Sequence, residues 1–189
     1  MQNIEFIEEI KDGKLSLKKI SKNDILFFYD NLQEEKITNY LSLGPLRSKF
    51  HSKKLIKDYL KHWEKRTQFN YIIELREGKY QTKIGSLSLW NVSWLHKRAE
   101  IGIWLAPRYF NRGFGKKTIV LIKVIAFNYL KLNRLEAHIA VENSRSIYLF
   151  QNCGFEEEGI LKEYLNLKGV FHDAHVFSCL VRNTLPSKS

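Results

Sequence analysis

One stretch constrains this chain more than any other: Ala99–Lys117, AEIGIWLAPRYFNRGFGKK, with the apolar run that follows it to Leu130. Ala99–Leu105 has the β-branched and aromatic content of a strand, and Pro107 ends it because proline has no amide to give to a ladder. Gly113-Phe114-Gly115 then opens a helix that runs from about Gly113 to Leu130. That helix is apolar almost all round, with a narrow polar stripe at Lys116, Lys123 and Lys131, so it must be buried against a sheet. The two glycines let the backbone come close to a ligand, and the first helical amides have no partner inside the helix. The helix dipole and the charges of Arg112, Lys116 and Lys117 make the turn positive. Read from its residues alone, the loop is either a cradle for phosphate or pyrophosphate, or only a tight turn. It is not a Walker loop, since no Gly-Lys-Ser/Thr closes it, and it lacks the third glycine of a dinucleotide fingerprint.

The rest of the chain supplies the remaining layers. Ser16–Ile20 reads as a strand, and Asp24 as the N-cap of a short helix from Ile25 to about Glu35. Thr38–Lys49, with Gly44-Pro45, reads as a loop. Ser52 is the expected cap of an amphipathic helix to about Arg66, with Leu55, Ile56, Tyr59, Leu60 and Trp63 on one face. Tyr71–Leu75 and Ile84–Val92 read as a hairpin around Glu77-Gly78. After the long helix come a strand at Leu135–Val141, a helix from Ser144 to about Asn152 stopped by Gly154, and a hairpin of Gly159–Leu167 with Val170–Val181. This order predicts one α+β domain over 1–189, a single sheet with helices packed on it.

The chain has 189 residues, enough for one sizeable core, and 13% aromatics argue against general disorder. Cys153 and Cys179 are too few for a disulfide scaffold and form no CxxC pair, so they read as free thiols. The acidic N-terminus (Glu5, Glu8, Glu9) is unlike a signal peptide, and no apolar run is long enough to span a bilayer. A cytoplasmic location without membrane contact is expected. His96, His138, His172 and His175 are scattered, so no metal site is expected. The net charge of +11 has two readings: a polyanionic partner, or a lysine-rich surface with none. Such a field repels a small polycation unless the site is locally acidic. Glu34, Glu35 and Glu74 are the residues that would make it so.

In this setting the motif order becomes specific. A strand with Glu100 leads into R-G-x-G-K and a long helix; then follow a strand, Asn143-Ser144-Arg145-Ser146, a helix, and Gly154-Phe155-Glu156-Glu157-Glu158-Gly159. This resembles the acetyl-CoA core of the GNAT N-acetyltransferases over about residues 84–181, with residues 24–66 in the place of the acceptor-side helices. His96–Leu105, Asn143–Ser146 and Gly159–Asp173 look most like the Rim-type ribosomal-protein N-terminal acetyltransferases; polyamine N-acetyltransferases are similar over the same region. The resemblance implies a mixed α/β, mostly antiparallel twisted sheet that splays into a V between its two middle strands, with helices on both faces. It implies that acetyl-CoA lies in the V, its pantetheine arm on backbone groups of Ile103 and Leu105. The pyrophosphate would rest on the Asn111–Lys117 loop: Asn111, Arg112, Gly113, Phe114, Gly115, Lys116 and Lys117. Asn143 and Phe150 would flank the thioester end. Acceptors would be a protein N-terminal amine, as in a ribosomal protein, or a small amine. Ribosome association is then an expectation, and so is a monomer or homodimer. A competing class is a CoA- or RNA-binding module without catalysis.

Direct acetyl transfer needs a group to take the amine proton, since an α-amine has a pKa near about 8 and a lysine amine near about 10.4. Glu100 is the expected base; the alternative is a structural carboxylate paired with Arg98. Many relatives place a tyrosine acid where this chain has Phe150, and Tyr148 falls on another face of the helix. Ser146 is therefore the expected donor to the sulfur. Phe110 is expected to pack rather than to bind phosphate, and Asp173 to set hairpin register.

Overall fold

The computed structural model describes residues 3–184. Its strands are β1 (Glu9–Asp12), β2 (Leu15–Lys19), β3 (Phe69–Glu77), β4 (Tyr80–Ser93), β5 (Arg98–Leu105), β6 (Arg134–Ala140), β7 (Glu156–Leu167) and β8 (Val170–Leu180). They form one sheet in the order β1-β2-β3-β4-β5-β6-β8-β7. Every neighbouring pair is antiparallel except β5 and β6, which run parallel. The helices are α1 (Ile25–Asn31), α2 (Glu35–Thr38), α3 (Lys49–Glu64), α4 (Phe114–Val124) and α5 (Ser144–Gln151).

Strand alternation divides the core. Phe69, Tyr71, Ile73 and Leu75 of β3 join Ile119 and Ile122 of α4 in one cluster. Ile72, pointing the other way, joins Phe28 of α1 and Ile56 of α3 in a second. On β5 the odd residues Ala99 and Ile101 belong to the α4 side, while Trp104 stacks on Phe27 of α1 at 5.6 Å. Helices thus cover both faces. The even residues of β5, Glu100 included, face the side of α1 to α3.

The expected long helix is present, but its last turn, Ile125–Tyr129, is widened to a π-helix. Several boundaries differ from expectation. Ser48, not Ser52, caps α3, accepting from the His51 amide; the Ser52 hydroxyl is buried and donates to the Ile25 carbonyl at 2.6 Å, tying α3 to α1. Asp24 does not cap α1 through its side chain, because it closes a capping box with Ser21 on the preceding 3-10 turn, and α1 stops at Asn31. The edge strand β1 is an addition: its residues are mostly exposed and carry no alternating pattern.

Candidate active site

The parallel pair at the centre of the sheet is short. β5 and β6 are in register only at Arg98–Arg134, Ala99–Leu135 and Glu100–Glu136. Beyond Glu100 the strands part, so Glu100 stands at the apex of a V. The Ala106 amide donates to the Ile84 carbonyl of β4 at 2.8 Å. Peptide groups alternate in direction along an antiparallel edge, so those of Ile103 and Leu105 face away from β4, toward the edge that β6 has left. The V opens into a cavity of about 510 Å³. Its floor includes Glu100, Ile103, Leu105 and His138, and α5 contributes Ser146 and Phe150. Tyr40 and Leu41 after α2, with Leu165 and Leu167 of the β7–β8 hairpin, line the opposite side. Two cross-links hold that side in place: Tyr40 Oη donates to the Glu142 carbonyl, and Lys168 Nζ donates to Asn39 Oδ1 at 3.1 Å.

In the turn after β5, which follows the cavity-lining Phe110, Asn111 (φ 56°) and Gly113 (φ 77°) both take the left-handed conformation, and Gly113 is the N-cap of α4. A Cβ on Gly113 would meet nothing within 4 Å, so it is the left-handed backbone and not crowding that favours glycine there. Arg112 lies over the rings of Tyr109 and Phe114 at 5.6 and 5.2 Å, which fixes its charge beside the turn. Lys116 and Lys117 are exposed in the first helical turn. Gly115 also has a packing role. It is buried, and a Cβ there would lie 3.1 and 3.2 Å from the Leu149 methyls, so it permits α4 to pack on α5. Phe110 packs, as expected, and seats the Arg145 guanidinium at 4.0 Å. Arg145 is a cavity-lining cation that the sequence motif did not single out.

On α5, Asn143 caps the helix: its Oδ1 accepts from the Ser146 amide at 3.2 Å. Phe150 is buried edge-on to Phe155 and forms a wall of the cavity. Tyr148 is 70% exposed and is not among the cavity-lining residues, in line with its predicted direction.

The apex is the most polar part of the cavity. Glu100 Oε1 accepts from Asn91 Nδ2 at 2.7 Å; Oε2 accepts from Trp90 Nε1 at 3.0 Å and contacts His138 Nδ1 at 3.1 Å. A register shift in β4 between Trp90 and Ser93, with Asn91 at φ 48°, brings the two β4 donors together on one carboxylate. Burial pushes the Glu100 carboxyl up, but the hydrogen bonds from His138, Asn91 and Trp90, with the His138 charge, outweigh it and hold the group below its ordinary range. Tyr164 of β7 lies against the imidazole, ring centroids 4.8 Å apart. Arg98 is paired with Glu136 at 3.0 Å, so the alternative pairing with Glu100 is not made. Trp90, Asn91, His138 and Tyr164 were not legible as site residues. They converge only through the β4 shift, the parallel register and the β7–β8 hairpin. Among the described residues no cluster of metal-binding type is found, and no helix is long and apolar enough to cross a membrane. Glu34 and Glu35 do not line the cavity, and Glu74 is buried on β3 with Gln81 as partner.

The site thus combines a V between splayed parallel strands, a buried carboxylate at its apex and a positively charged helix start after β5. The family model for the acetyltransferase (GNAT) domain matches residues 14–156, and the chain belongs to that family. It is 27% identical over 162 residues to spermidine N(1)-acetyltransferase of Vibrio cholerae, covering 86% of this chain and 90% of the relative. The crystal structure of spermidine N-acetyltransferase from Vibrio cholerae in complex with CoA and spermine superposes with a TM-score of 0.81 at 26% identity, over 93% of this chain and all of that one. YdaF of Bacillus subtilis, provisionally named a ribosomal N-acetyltransferase, is 34% identical over 98 residues, 52% of this chain and 54% of YdaF. The chain is thus an acetyl-CoA-dependent N-acetyltransferase. The expected Rim-type branch is matched only in part, since the spermidine enzymes align over more of the chain.

Proposed function

We propose that this enzyme acetylates an amine bearing a single positive charge, best represented by the N-terminal α-amino group of a protein such as a ribosomal protein. One observation carries the reading: Glu100 is the single carboxylate among the described residues lining the cavity, which also holds the cationic Lys36 and Arg145. A polyamine brings two or more ammonium groups into the site, and each needs a counter-charge when it loses water. An α-amine brings one, and its peptide continues outward past Tyr40, Leu41 and Leu167.

In this reading the pantetheine arm runs along Ile103 and Leu105 like an added strand. The pyrophosphate lies on the Asn111–Lys117 turn, with the free amides of Phe114, Gly115 and Lys116 and the charge of Arg112 as its partners. Asn143 and Phe150 flank the thioester, Ser146 faces the sulfur, and the acceptor nitrogen enters on the Glu100 side. The amine attacks the acetyl carbonyl directly. The C–N bond forms, the C–S bond breaks, and the thiolate leaves with the second amine proton.

The similarity to spermidine acetyltransferases favours a second reading, with a polyamine as acceptor. Turnover read as free-thiol release, with Ala-, Ser- and Met-starting peptides beside spermidine, separates the two. Peptide turnover with at most trace spermidine turnover is expected; spermidine turnover alone would refute the proposal.

A further inference from the structure

We propose that the group accepting the amine proton is the imidazole of His138, through Nε2, and that Glu100 is a positioning residue that fixes its tautomer. The inference rests on direct attack by the amine, but not on which amine attacks.

Three side chains surround the Glu100 carboxylate. It accepts from Asn91 on one oxygen and from Trp90 on the other, and that second oxygen also contacts His138 Nδ1 at 3.1 Å. An ionised carboxylate only accepts, so Nδ1 must carry the hydrogen. In a neutral imidazole the lone pair is then on Nε2. A carboxylate already engaged by three donors is a weak base: protonating it breaks those bonds, consistent with its acidity being raised rather than lowered. The neighbouring imidazole, with its lone pair on Nε2, is a side chain of the type that serves most often as a general base.

Placement agrees with the chemistry. His138 lies two residues after the last β5–β6 register pair, Glu100–Glu136. Its ring lines the cavity, and its side chain is 10% exposed. The groups in contact with it are Glu100 on β5 and Tyr164 on β7, and Tyr164 in turn senses Glu100, Glu136 and Arg98. Arg98 and Glu136 neutralise each other in an ion pair, which leaves Glu100 as the counter-charge for an imidazolium.

The step balances. One proton passes from the ammonium to His138 Nε2, and the freed nitrogen attacks the thioester carbon. The C–S bond then breaks, the second N–H proton goes to the sulfur, and His138 returns its proton to water.

Two measurements test this on the full chain. The first is the ¹⁵N NMR shift pattern of the His138 ring in the unliganded enzyme. Nδ1–H with unprotonated Nε2 is expected above the imidazole pKa; an Nε2–H tautomer would overturn the assignment. The second is the pH dependence of kcat for wild type, His138→Gln and Glu100→Gln, with an Ala-starting peptide and with spermidine. His138→Gln is expected to lower kcat by about 100-fold or more, leave the KM for acetyl-CoA unchanged and abolish the acidic limb. Glu100→Gln should keep that limb but move it to lower pH, because the imidazolium loses its counter-charge. A limb that survives His138→Gln and vanishes in Glu100→Gln would return the base role to Glu100. Silence with every amine would refute the direct-transfer reading, while the tautomer would still decide the His138 assignment.

Discussion

Gly102→Ala should disable the apex without touching the cofactor edge. A Cβ on Gly102 would lie 2.6 and 2.7 Å from Cη2 and Cζ3 of Trp90. Carbon atoms settle at about 3.5–4.0 Å, so the indole must withdraw by about 1 Å. Overpacking of this kind costs about 1–3 kcal/mol. The withdrawal also strains the 3.0 Å bond from Trp90 Nε1 to Glu100, a hydrogen bond to a charged group of the sort that contributes about 1.5–3 kcal/mol. The two terms share one displacement and do not simply add. We expect a net loss of about 2 kcal/mol in urea unfolding, which for a chain of this size lowers Tm by about 4–8 °C. Turnover should fall by about 10-fold, since Glu100 loses a donor and His138 its alignment. The KM for acetyl-CoA should hold, because the Gly102 peptide faces β4 and not the open edge. Adding Trp90→Phe removes the clashing ring atoms, so the double variant should recover most of the stability lost by Gly102→Ala. Unchanged Tm and turnover in Gly102→Ala, or a double variant no better than the sum of its parts, would refute the reasoning.

Other expectations follow from the same geometry. Gly113→Asp should abolish acetyl-CoA binding measured by calorimetry, whereas Gly113→Asn, which tolerates the left-handed backbone and adds no charge, should weaken it by less than about 10-fold; equal losses would remove the pyrophosphate from this turn. The Glu158 carboxyl is held at about 2 by hydrogen bonds from Arg134 and Ser178, against an ordinary 4.5. A depressed acid stabilises the fold above its unfolded pKa and loses that contribution as pH falls through the folded value, so stability should decline between about 4.5 and about 2, with a shallower decline in Arg134→Ala. Burial pushes both the Cys153 and Cys179 thiols up, so neither should react with a disulfide reagent until the protein is unfolded in urea.

The sequence carried the cofactor side better than the acceptor side, and the reason is locality. The Gly113 turn, the apolar helix after it and the Asn143 cap are contiguous in the chain, and propensity and periodicity report contiguous features. Even there the packing demand on Gly115 was not legible, because its neighbour Leu149 lies on α5, more than thirty residues away. Ser52 reads as a cap because serine at a helix start and serine inside a helix bonded to another helix look alike in sequence. The apex was legible only as Glu100. His138 looked like one of several scattered histidines until the parallel register of β5 and β6 brought it to the carboxylate, and Trp90 and Asn91 needed the β4 shift. Charge was legible as a total but not as a map: the three acids named as an acidic pocket lie elsewhere, and the cavity has one carboxylate among the described residues.

The most direct test of the whole account is acetyl-CoA turnover against a panel of Ala-, Ser- and Met-starting peptides, spermidine, an aminoglycoside and an amino sugar, with a no-acceptor control. The account predicts acceptor-dependent thiol release with at least one peptide class and little with spermidine. Release with spermidine alone would contradict the assigned acceptor, and CoA binding without release to any amine would contradict the enzyme itself.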